Sequence, residues 1–439
     1  MGKYFGTDGF RGEAGVTLTA EQAYRVGLIL GYLYGREKGK CRAVLGKDTR
    51  LSSYMLEYAL ASGLTAAGAD AYILHVTTTP SVSYITRCDG FDCGIMISAS
   101  HNPYYDNGIK IMNGQGEKLE DSVISVIEDY LDGNFVEIPL ASGVNIGRTV
   151  DYISGRNRYI GHLISLSTCS YKGLRVGLDC ANGSAWQIAK SVFDALGAKT
   201  FTIGDAPNGT NVNDGVGSTH IEKLAALVRE NSLDLGFAFD GDADRCICVD
   251  GCGNTLTGDE ELYICADWLK SRGELAGDKI VCTVMSGGGL IQSLKNKGIS
   301  CSVCGVGDKN VCAEMNASGA VLGGERSGHI IFSKYESTGD GLVTAIMIME
   351  AVVESKRGLA DLLKGYKSLP RCSSDIPVKD KFSVMPKLSA CAGEMEKSLG
   401  VRVVVRPSGT ENVIRIMAEG ENYENCIGAC GRLRDVVGE

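Results

Sequence analysis

Val176-Gly177-Leu178-Asp179, then Asn182-Gly183-Ser184, then a helical pattern closing on Ala195-Leu196-Gly197-Ala198, then an apolar strand over 200–203: this stretch decides the fold. Strand, glycine turn, helix, glycine stop and strand again make a βαβ unit. The unit recurs on either side. Residues 42–77 carry Ala43-Val44-Leu45, a turn of Gly, Lys, Asp and Thr, a helical pattern, Ala67-Gly68-Ala69-Asp70 and a strand over 72–76. Residues 279–305 carry a strand over 280–284, Ser286-Gly287-Gly288-Gly289, a helix ending at Gly298 and a strand over 299–303. Three copies predict three similar mixed α/β domains built of βαβ units. In such sheets the loops at the carboxyl ends of the parallel strands are where ligands sit.

Beyond Pro370 and Pro377 the pattern changes. A helical pattern over 386–399 stops at Gly400. Two apolar strands, 401–405 and 413–417, flank Arg406-Pro407-Ser408-Gly409-Thr410-Glu411, and a last helix covers 423–437. That is a smaller α+β domain. The expected division is α/β domain I at 1–150, α/β domain II at 151–252, α/β domain III at 253–368 and α+β domain IV at 369–439, arranged around a central cleft.

Composition narrows the function. A net charge of −9 argues against nucleic acid, which needs a basic footprint, and means that an anionic ligand must be met by a local cluster of Arg and Lys. No run approaches the ~18 uncharged apolar residues of a membrane span, and the N-terminus has no apolar signal core, so a cytoplasmic protein is expected. The 58 glycines, nearly twice the usual share of about 7%, sit among only 8 prolines and point to tight turns and close backbone approaches. Seventeen cysteines are scattered through apolar elements as small buried hydrophobes would be, and the Cys301/Cys304 pair has no partner at zinc spacing. Reduced thiols in a reducing compartment are expected.

Four loops carry the chemistry. Ile97-Ser98-Ala99-Ser100-His101-Asn102-Pro103-Tyr104-Tyr105-Asp106-Asn107-Gly108-Ile109-Lys110 reads as a strand over 94–97, a break, an Asn-Gly hairpin turn and a second strand over 109–112. That return sets the Lys110 ammonium over the Ser100 hydroxyl, a plausible phosphate-handling centre; a plain polar hairpin is the other reading. Asp240-Gly241-Asp242-Ala243-Asp244-Arg245 follows an apolar strand over 235–239. Three converging carboxylates repel by about 4 kcal/mol per pair at an effective dielectric of 20. A hard cation, Mg²⁺ or Ca²⁺, removes that cost, and the spacing excludes an EF-hand. An acidic surface turn with a paired Arg245 is the alternative.

In Gly323-Gly324-Glu325-Arg326-Ser327-Gly328-His329, the residues Glu325, Ser327 and His329 alternate and, in an extended loop, share a face suited to a polyol. Arg406, Ser408, Gly409 and Thr410 offer a guanidinium, two hydroxyls and a freed backbone for an oxyanion, with Arg415 adding charge. Gly6-Thr7-Asp8-Gly9-Phe10-Arg11-Gly12 is similar material, with Thr7 and Arg11 as its candidates. Both stretches also read as ordinary turns.

Thr-Asp-Gly-Phe-Arg-Gly, Ser-Ala-Ser-His-Asn-Pro, Asp-Gly-Asp-Ala-Asp-Arg, Gly-Glu-Arg-Ser-Gly-His and Arg-Pro-Ser-Gly-Thr-Glu occur in that order across the whole chain. In this the sequence resembles the α-D-phosphohexomutase superfamily. The double Ser-Ala-Ser, Gly217-Ser218-Thr219-His220 and Ser337-Thr338-Gly339-Asp340-Gly341 resemble its bacterial amino-sugar branch. The resemblance implies that Ser100 carries a covalent phosphate and that Asp240, Asp242 and Asp244 hold Mg²⁺ with it. Glu325 and Ser327 would bind sugar hydroxyls, and Arg406, Ser408, Gly409 and Thr410 the phosphate that is not reacting. Lys110, His101 and His329 are the acid/base candidates, with Lys110 and His329 favoured, and Arg11 and Arg245 supply charge. The implied reaction interconverts glucosamine 6-phosphate and glucosamine 1-phosphate through a hexosamine 1,6-bisphosphate, which is also the activator, and feeds UDP-N-acetylglucosamine synthesis for the cell wall. The expected partner is a small-molecule sugar phosphate, with no nucleic acid and no membrane, on a monomer or homodimer.

Three positions depart from that pattern: Arg326 replaces an amide, Asn412 a proline and Lys309 an arginine. Rival readings are a phosphomannomutase or phosphoglucomutase using the same loops, an aspartate-nucleophile sugar phosphatase, and a sugar-phosphate sensor without turnover. The phosphatase would want Thr or Val where this chain has Asp244.

Overall fold

The computed structural model describes residues 3–6, 8–134, 137–408 and 412–438. The first lobe contains β1 (Phe5–Gly6), β2 (Gly9–Glu13), α1 (Ala20–Lys38), β3 (Arg42–Lys47), α2 (Leu51–Ala66) and β4 (Asp70–Val76). It continues with α3 (Thr79–Cys88), β5 (Cys93–Ile97), β6 (Asp106–Asn113), α4 (Asp121–Leu131) and β7 (Thr149–Asp151). Its sheet runs β1-β2-β6-β5-β3-β4-β7. Strands β5, β3, β4 and β7 are parallel neighbours, and β6, β2 and β1 extend the sheet antiparallel.

The second lobe has α5 (Ile153–Leu166), β8 (Arg175–Asp179), α6 (Ile188–Ala195), β9 (Lys199–Ile203), α7 (Glu222–Glu230), β10 (Leu235–Phe239) and β11 (Cys246–Asp250). The third has α8 (Gly258–Ser271), β12 (Lys279–Thr283), α9 (Gly288–Asn296), β13 (Ser300–Cys304) and α10 (Asp308–Ser318). It closes with β14 (Leu322–Gly324), β15 (Ile330–Phe332), α11 (Gly341–Ser355) and α12 (Leu359–Leu362). Their sheets, β11-β10-β8-β9 and β13-β12-β14-β15, share one plan. Three strands are parallel and the outer β11 or β15 is antiparallel, returning from the loop that ends the central run. The expected mixed α/β class is what is seen, with a fourth lobe of β16 (Arg371–Pro377), α13 (Lys381–Leu399), β17 (Arg402–Pro407), β18 (Val413–Glu419) and α14 (Tyr423–Gly438).

Packing explains how the lobes sit. Helix α11 is buried over most of its length, and residues of the second and third lobes form one continuous apolar cluster around it. The first and fourth lobes have cores of their own. The fourth touches the third through Arg402, which donates to the carbonyls of Ser286 (2.6 Å) and Val284 (2.5 Å), and through Glu419, which accepts from Gly288 N at the start of α9 (2.6 Å). Among the described residues no helix is long and apolar enough to cross a membrane.

Two local expectations are corrected, and one strand was not foreseen. Asn107-Gly108 is no turn: it lies within β6, opposite Gly12 and Arg11 of β2. Gly108 is needed for close approach, because a Cβ there would lie 2.5 Å from the Ser98 carbonyl. The stretch from Arg371 to Pro377, for which no element was expected, is the strand β16 of the fourth lobe, an edge of its sheet with Pro377 at its end. Helix α13 begins at Lys381, capped by Asp380, so Pro386 lies inside it rather than opening it.

Candidate functional site

Ser100 is placed by a buried scaffold. The residue has φ +52°, a left-handed conformation a serine adopts only when its surroundings impose it. Arg50, fully buried, donates to the carbonyls of Ser100 (3.1 Å) and Asn102 (2.6 Å), and Asn213 Nδ2 donates to the same two at 2.9 and 3.1 Å. Asp48 pairs with Arg50 and accepts from Ser98 Oγ (2.6 Å) and Ser53 Oγ (2.7 Å), while Ser98 Oγ accepts from Ser100 N (3.0 Å). Held this way, the Ser100 hydroxyl donates to Asp240 Oδ2 of the second lobe at 2.5 Å, with His101 Nδ1 at 3.4 Å. Gly241 lets the two loops meet, since a Cβ there would lie 2.5 Å from the Ser100 carbonyl.

Asp240, Asp242 and Asp244 are all buried, and their ligand atoms lie within 4.8 Å of one another. Thr79, at the start of α3, donates its hydroxyl to Asp242 Oδ2 and its N–H to the Asp242 carbonyl (3.0 Å). Lys110 Nζ lies 2.8 Å from Asp242, 3.3 Å from Asp244 and 3.2 Å from Asp8. The ammonium therefore faces the carboxylates, not the Ser100 hydroxyl as the hairpin reading had it. These charges act on one another. Burial, then Asp244 and Asp242, push Asp240 up to about 8. Burial alone would raise Asp244 and lower Lys110, but each is outweighed by its partners, so Asp244 is held well below the usual carboxylate range and Lys110 stays protonated. His101 falls to about 3 through burial and the nearby Arg245 and Arg11.

The triad fits a hard divalent cation on two observations. Asp242 Oδ1 and Asp244 Oδ1 are buried and accept no hydrogen bond, and the three carboxylates converge with oxygen donors alone.

The other predicted residues surround this centre. Arg11 pairs with Asp8 and reaches Asn102 Oδ1 at 3.4 Å, joining the N-terminal loop to the Ser100 loop. Arg245 N donates to Asp240 Oδ1 (3.2 Å), and its Nε lies 3.8 Å from Asp244. His329 Nδ1 lies 3.7 Å from Asp244 Oδ1. Burial would lower His329, but Asp244, Asp308 and Glu325 outweigh it and hold the ring at about 9.

The loop between β14 and β15 is a turn rather than an extended run, because Gly328 N donates to the Glu325 carbonyl (3.0 Å). Glu325, Ser327 and His329 therefore do not share one face: Ser327 is exposed, His329 is buried, and Glu325 accepts from Gly307 N (3.0 Å). Of the departures, Arg326 donates to Asp259 (2.7 Å), Lys309 to Asp121 (2.6 Å), and the Asn412 carbonyl accepts from Val378 N (2.9 Å).

In the fourth lobe Arg406 and Arg415 stand directly opposite on β17 and β18. Burial and then Arg415 lower the Arg406 guanidinium, which has no ion pair among the described residues, while Glu325 is near enough to act on it. Two opposed guanidiniums are a liability that an anion relieves. Ser408 is buried beside them. Thr7, Gly409 and Thr410 lie outside the described residues.

A cavity of about 410 Å³ opens beside the triad, walled by Asp8, Thr79, Lys110, Lys118, Asp244 and Asp308. Sequence reasoning passed over Arg50, Asp48, Thr79, Asn213 and the Lys118 bridge between Asp8 (2.9 Å) and Asp308 (2.8 Å). The signal for Asp48 and Arg50 was present: a charged turn closing the apolar β3, the same cue that singled out Asp240.

Comparison with known proteins agrees with this geometry along the whole chain. Four family models match in order: phosphoglucomutase/phosphomannomutase alpha/beta/alpha domain I at residues 2–135, domain II at 157–253, domain III at 257–369 and the C-terminal domain at 376–426. A phosphoglucosamine mutase of Lachnospira eligens is 55% identical over 443 residues, covering 100% of this chain and 98% of its own. Its counterpart from Bacillus subtilis is 44% identical over 441 residues, with 100% and 98% covered. Among solved structures, a phosphoglucomutase/phosphomannomutase family protein of Burkholderia thailandensis superposes with TM-score 0.83 at 24% identity, covering 99% of this chain and 96% of its own. The Aspergillus fumigatus N-acetylphosphoglucosamine mutase, in complex with GlcNAc-6P and magnesium, gives 0.70 at 16%, with 99% and 95% covered. At those identities the structures speak for the fold alone.

Proposed function

This chain belongs to the phosphoglucomutase/phosphomannomutase family, and on that premise we propose that it is a phosphoglucosamine mutase, interconverting glucosamine 6-phosphate and glucosamine 1-phosphate in the cytoplasm. The observation that carries the reading is the 2.5 Å contact between Ser100 Oγ and Asp240 Oδ2, which sets a pinned serine against three metal-competent carboxylates.

Phosphoryl transfer is mostly positioning and charge neutralisation. Phospho-Ser100 gives its phosphoryl group to O1 of glucosamine 6-phosphate. The Oγ–P bond breaks as Ser100 Oγ takes up a proton, an O1–P bond forms, and the O1 proton leaves to a base of the site. The 1,6-bisphosphate then turns over; Ser100 Oγ gives up its proton and forms a bond to the 6-phosphorus, the O6–P bond breaks, and O6 takes up a proton as glucosamine 1-phosphate departs. Asp240, Asp242 and Asp244 would hold Mg²⁺ together with an oxygen of the Ser100 phosphate; when bound, it supplies neutralisation of the transferring group.

The chain's own residues do the rest. Arg50 and Asn213 fix the Ser100 backbone, so Oγ does not have to be ordered at the moment of transfer. Lys110, kept protonated by its three carboxylates, brings positive charge to the reacting centre. His101 Nδ1 and Asp240 Oδ2 are the acceptors within reach of the Ser100 proton. His329 stands across Asp244 as the second acid/base candidate. Glu325 and Ser327 take sugar hydroxyls. Arg406, Arg415, Ser408, Gly409 and Thr410 clamp whichever phosphate is not reacting, with Thr7 and Arg11 closing the domain I side. A clamp on a lobe with its own core suits a substrate that must reorient between the two transfers.

The test is kcat/KM for glucosamine 6-phosphate, mannose 1-phosphate and glucose 1-phosphate with a hexose bisphosphate activator present. Glucosamine 6-phosphate is expected to exceed the other two; faster turnover of mannose or glucose phosphate would overturn the assignment.

A further inference from the structure

Behind the acidic triad lies a second group of metal-competent side chains that the reaction does not use. Cys246 and Cys248 alternate on β11 and so point to one face of the strand, the face against α8. Glu261, from the first turns of α8, reaches the same spot. The two Sγ atoms and a Glu261 carboxylate oxygen lie within 4.8 Å of one another, and all three residues are fully buried. Cys265, one helical turn beyond Glu261 and also fully buried, stands near enough for Glu261 and Cys246 to act on its thiol but is not one of the donors lying within 4.8 Å of one another.

Glu261 is the informative member. One oxygen, Oε1, accepts the N–H of Cys248, which the edge strand β11 cannot give to a neighbouring strand (2.8 Å). The other, Oε2, is buried and has no hydrogen-bond partner. Among the described residues no lysine, arginine or histidine pairs with Glu261. A buried carboxylate left half-satisfied beside thiols costs free energy that an apolar or amide side chain in its place would avoid. Soft sulfur donors with one carboxylate are a ligand set suited to zinc. A tetrahedral zinc site with Zn–S bonds of about 2.3 Å needs donors roughly 3.8 Å apart, so the three need close by about an ångström at most.

We propose that Cys246, Cys248 and Glu261 form the core of a structural zinc site distinct from the magnesium-competent triad, and that the Cys265 side chain turns in from the next turn of α8 to complete it when the ion binds. Being closed on all sides, the site loads as the chain folds and has no open position for catalysis. Its place gives it a purpose. Strand β11 leaves the Asp240–Arg245 loop directly, and α8 begins at Gly258, whose N–H donates to the Arg326 carbonyl of the turn between β14 and β15 (2.9 Å). An ion clamping β11 to α8 thus ties the acidic loop of the second lobe to the sugar-loop turn of the third.

The test uses full-length protein made in zinc-supplemented medium, washed with EDTA and returned to magnesium buffer, with metals counted by plasma mass spectrometry. Stoichiometric zinc is expected in the parent and in Cys304→Ala, a cysteine on another strand, and its loss in Cys248→Ala and Glu261→Gln. Glutamine keeps both the volume and the acceptor for Cys248 N, so loss in that variant is not a failure to fold. The parent unfolded under reducing conditions and refolded with Co²⁺ should develop thiolate-to-cobalt charge-transfer bands that both site variants lack. Zinc retained by both site variants overturns the site. So does a parent that holds no zinc and shows no cobalt bands after refolding.

Discussion

Replacing Lys110 by methionine keeps much of the stem volume and removes one ammonium from among Asp242 (2.8 Å), Asp8 (3.2 Å) and Asp244 (3.3 Å). Deleting one partner of a buried ionic group leaves an uncompensated charge and typically costs about 3–5 kcal/mol. Arg245 and His329 stand farther from the acidic loop, at 3.8 and 3.7 Å from Asp244, and recover only part of that. The loss should be large in EDTA. Magnesium changes the comparison, because in the variant the oxygens of Asp242 and Asp244 are released from the ammonium and become better ligands. A ligand at about a hundred times its Kd stabilises by about 2.7 kcal/mol, so a tighter site gives a larger shift at the same magnesium concentration. The assay is urea unfolding followed by the two tryptophans, Trp186 and Trp268, in EDTA and in excess Mg²⁺. The expected result is a variant markedly less stable in EDTA and stabilised more by magnesium than the parent. Equal stability in EDTA, or an equal magnesium shift in both, would refute the electrostatic account of the triad.

Asn213→Gly removes two hydrogen bonds to the carbonyls of Ser100 and Asn102 without straining a backbone already at φ +59°. At about 1 kcal/mol each, their loss should lower kcat by roughly 30-fold with KM little changed in steady-state assays. Arg406→Ala should lower kcat/KM by about 10- to 160-fold, as expected for a charge-assisted bond of about 1.5–3 kcal/mol. The same change should leave the urea midpoint of unfolding unchanged or raised, because Arg415 loses a like-charged neighbour. Burial pushes Glu336 up to about 8 from 4.5 despite Arg87, and burial and then Glu336 push Asp340 up to about 7. The folded chain therefore keeps protons that the unfolded chain has lost. This stability is full below about pH 4 and is lost as pH rises through 7 to 8, by up to about 1.4 kcal/mol per unit for each group. Glu336→Gln should flatten that decline in urea midpoints measured between pH 5.5 and 8.5.

Much of the fold was legible because glycine marks the strand-to-helix turns of each βαβ unit, and the apolar runs between them are short and clean. The errors came from residues with two physical uses. Asn107-Gly108 suits a hairpin turn, but here the missing Cβ admits the Ser98 carbonyl at 2.5 Å. Pro386 reads as the first residue of a helix, yet α13 begins earlier, at Lys381, and carries Pro386 inside it. Around the site, the contiguous motifs were readable: Ser100 and the three aspartates stand together, with Lys110 and Arg245 in contact with that triad. Residues that act across lobes were not. Thr79 and Asn213 carry no charge and lie in no motif, so only the folded chain brings them to Asp242 and Ser100. Arg50 was marked by its charged turn at the end of an apolar strand, but its role in holding the Ser100 and Asn102 carbonyls emerges only in the folded chain.

The most direct measurement follows one phosphate. The purified chain is incubated with glucosamine 1,6-bisphosphate and magnesium, digested and mapped by mass spectrometry, before and after a chase with glucosamine 6-phosphate. Phosphate is expected on Ser100 alone, discharged by the chase in step with bisphosphate formation, and absent from Ser100→Ala, which should not isomerise. Phosphate on another residue, a Ser100 phosphate that the sugar cannot remove, or full turnover by Ser100→Ala would contradict the account.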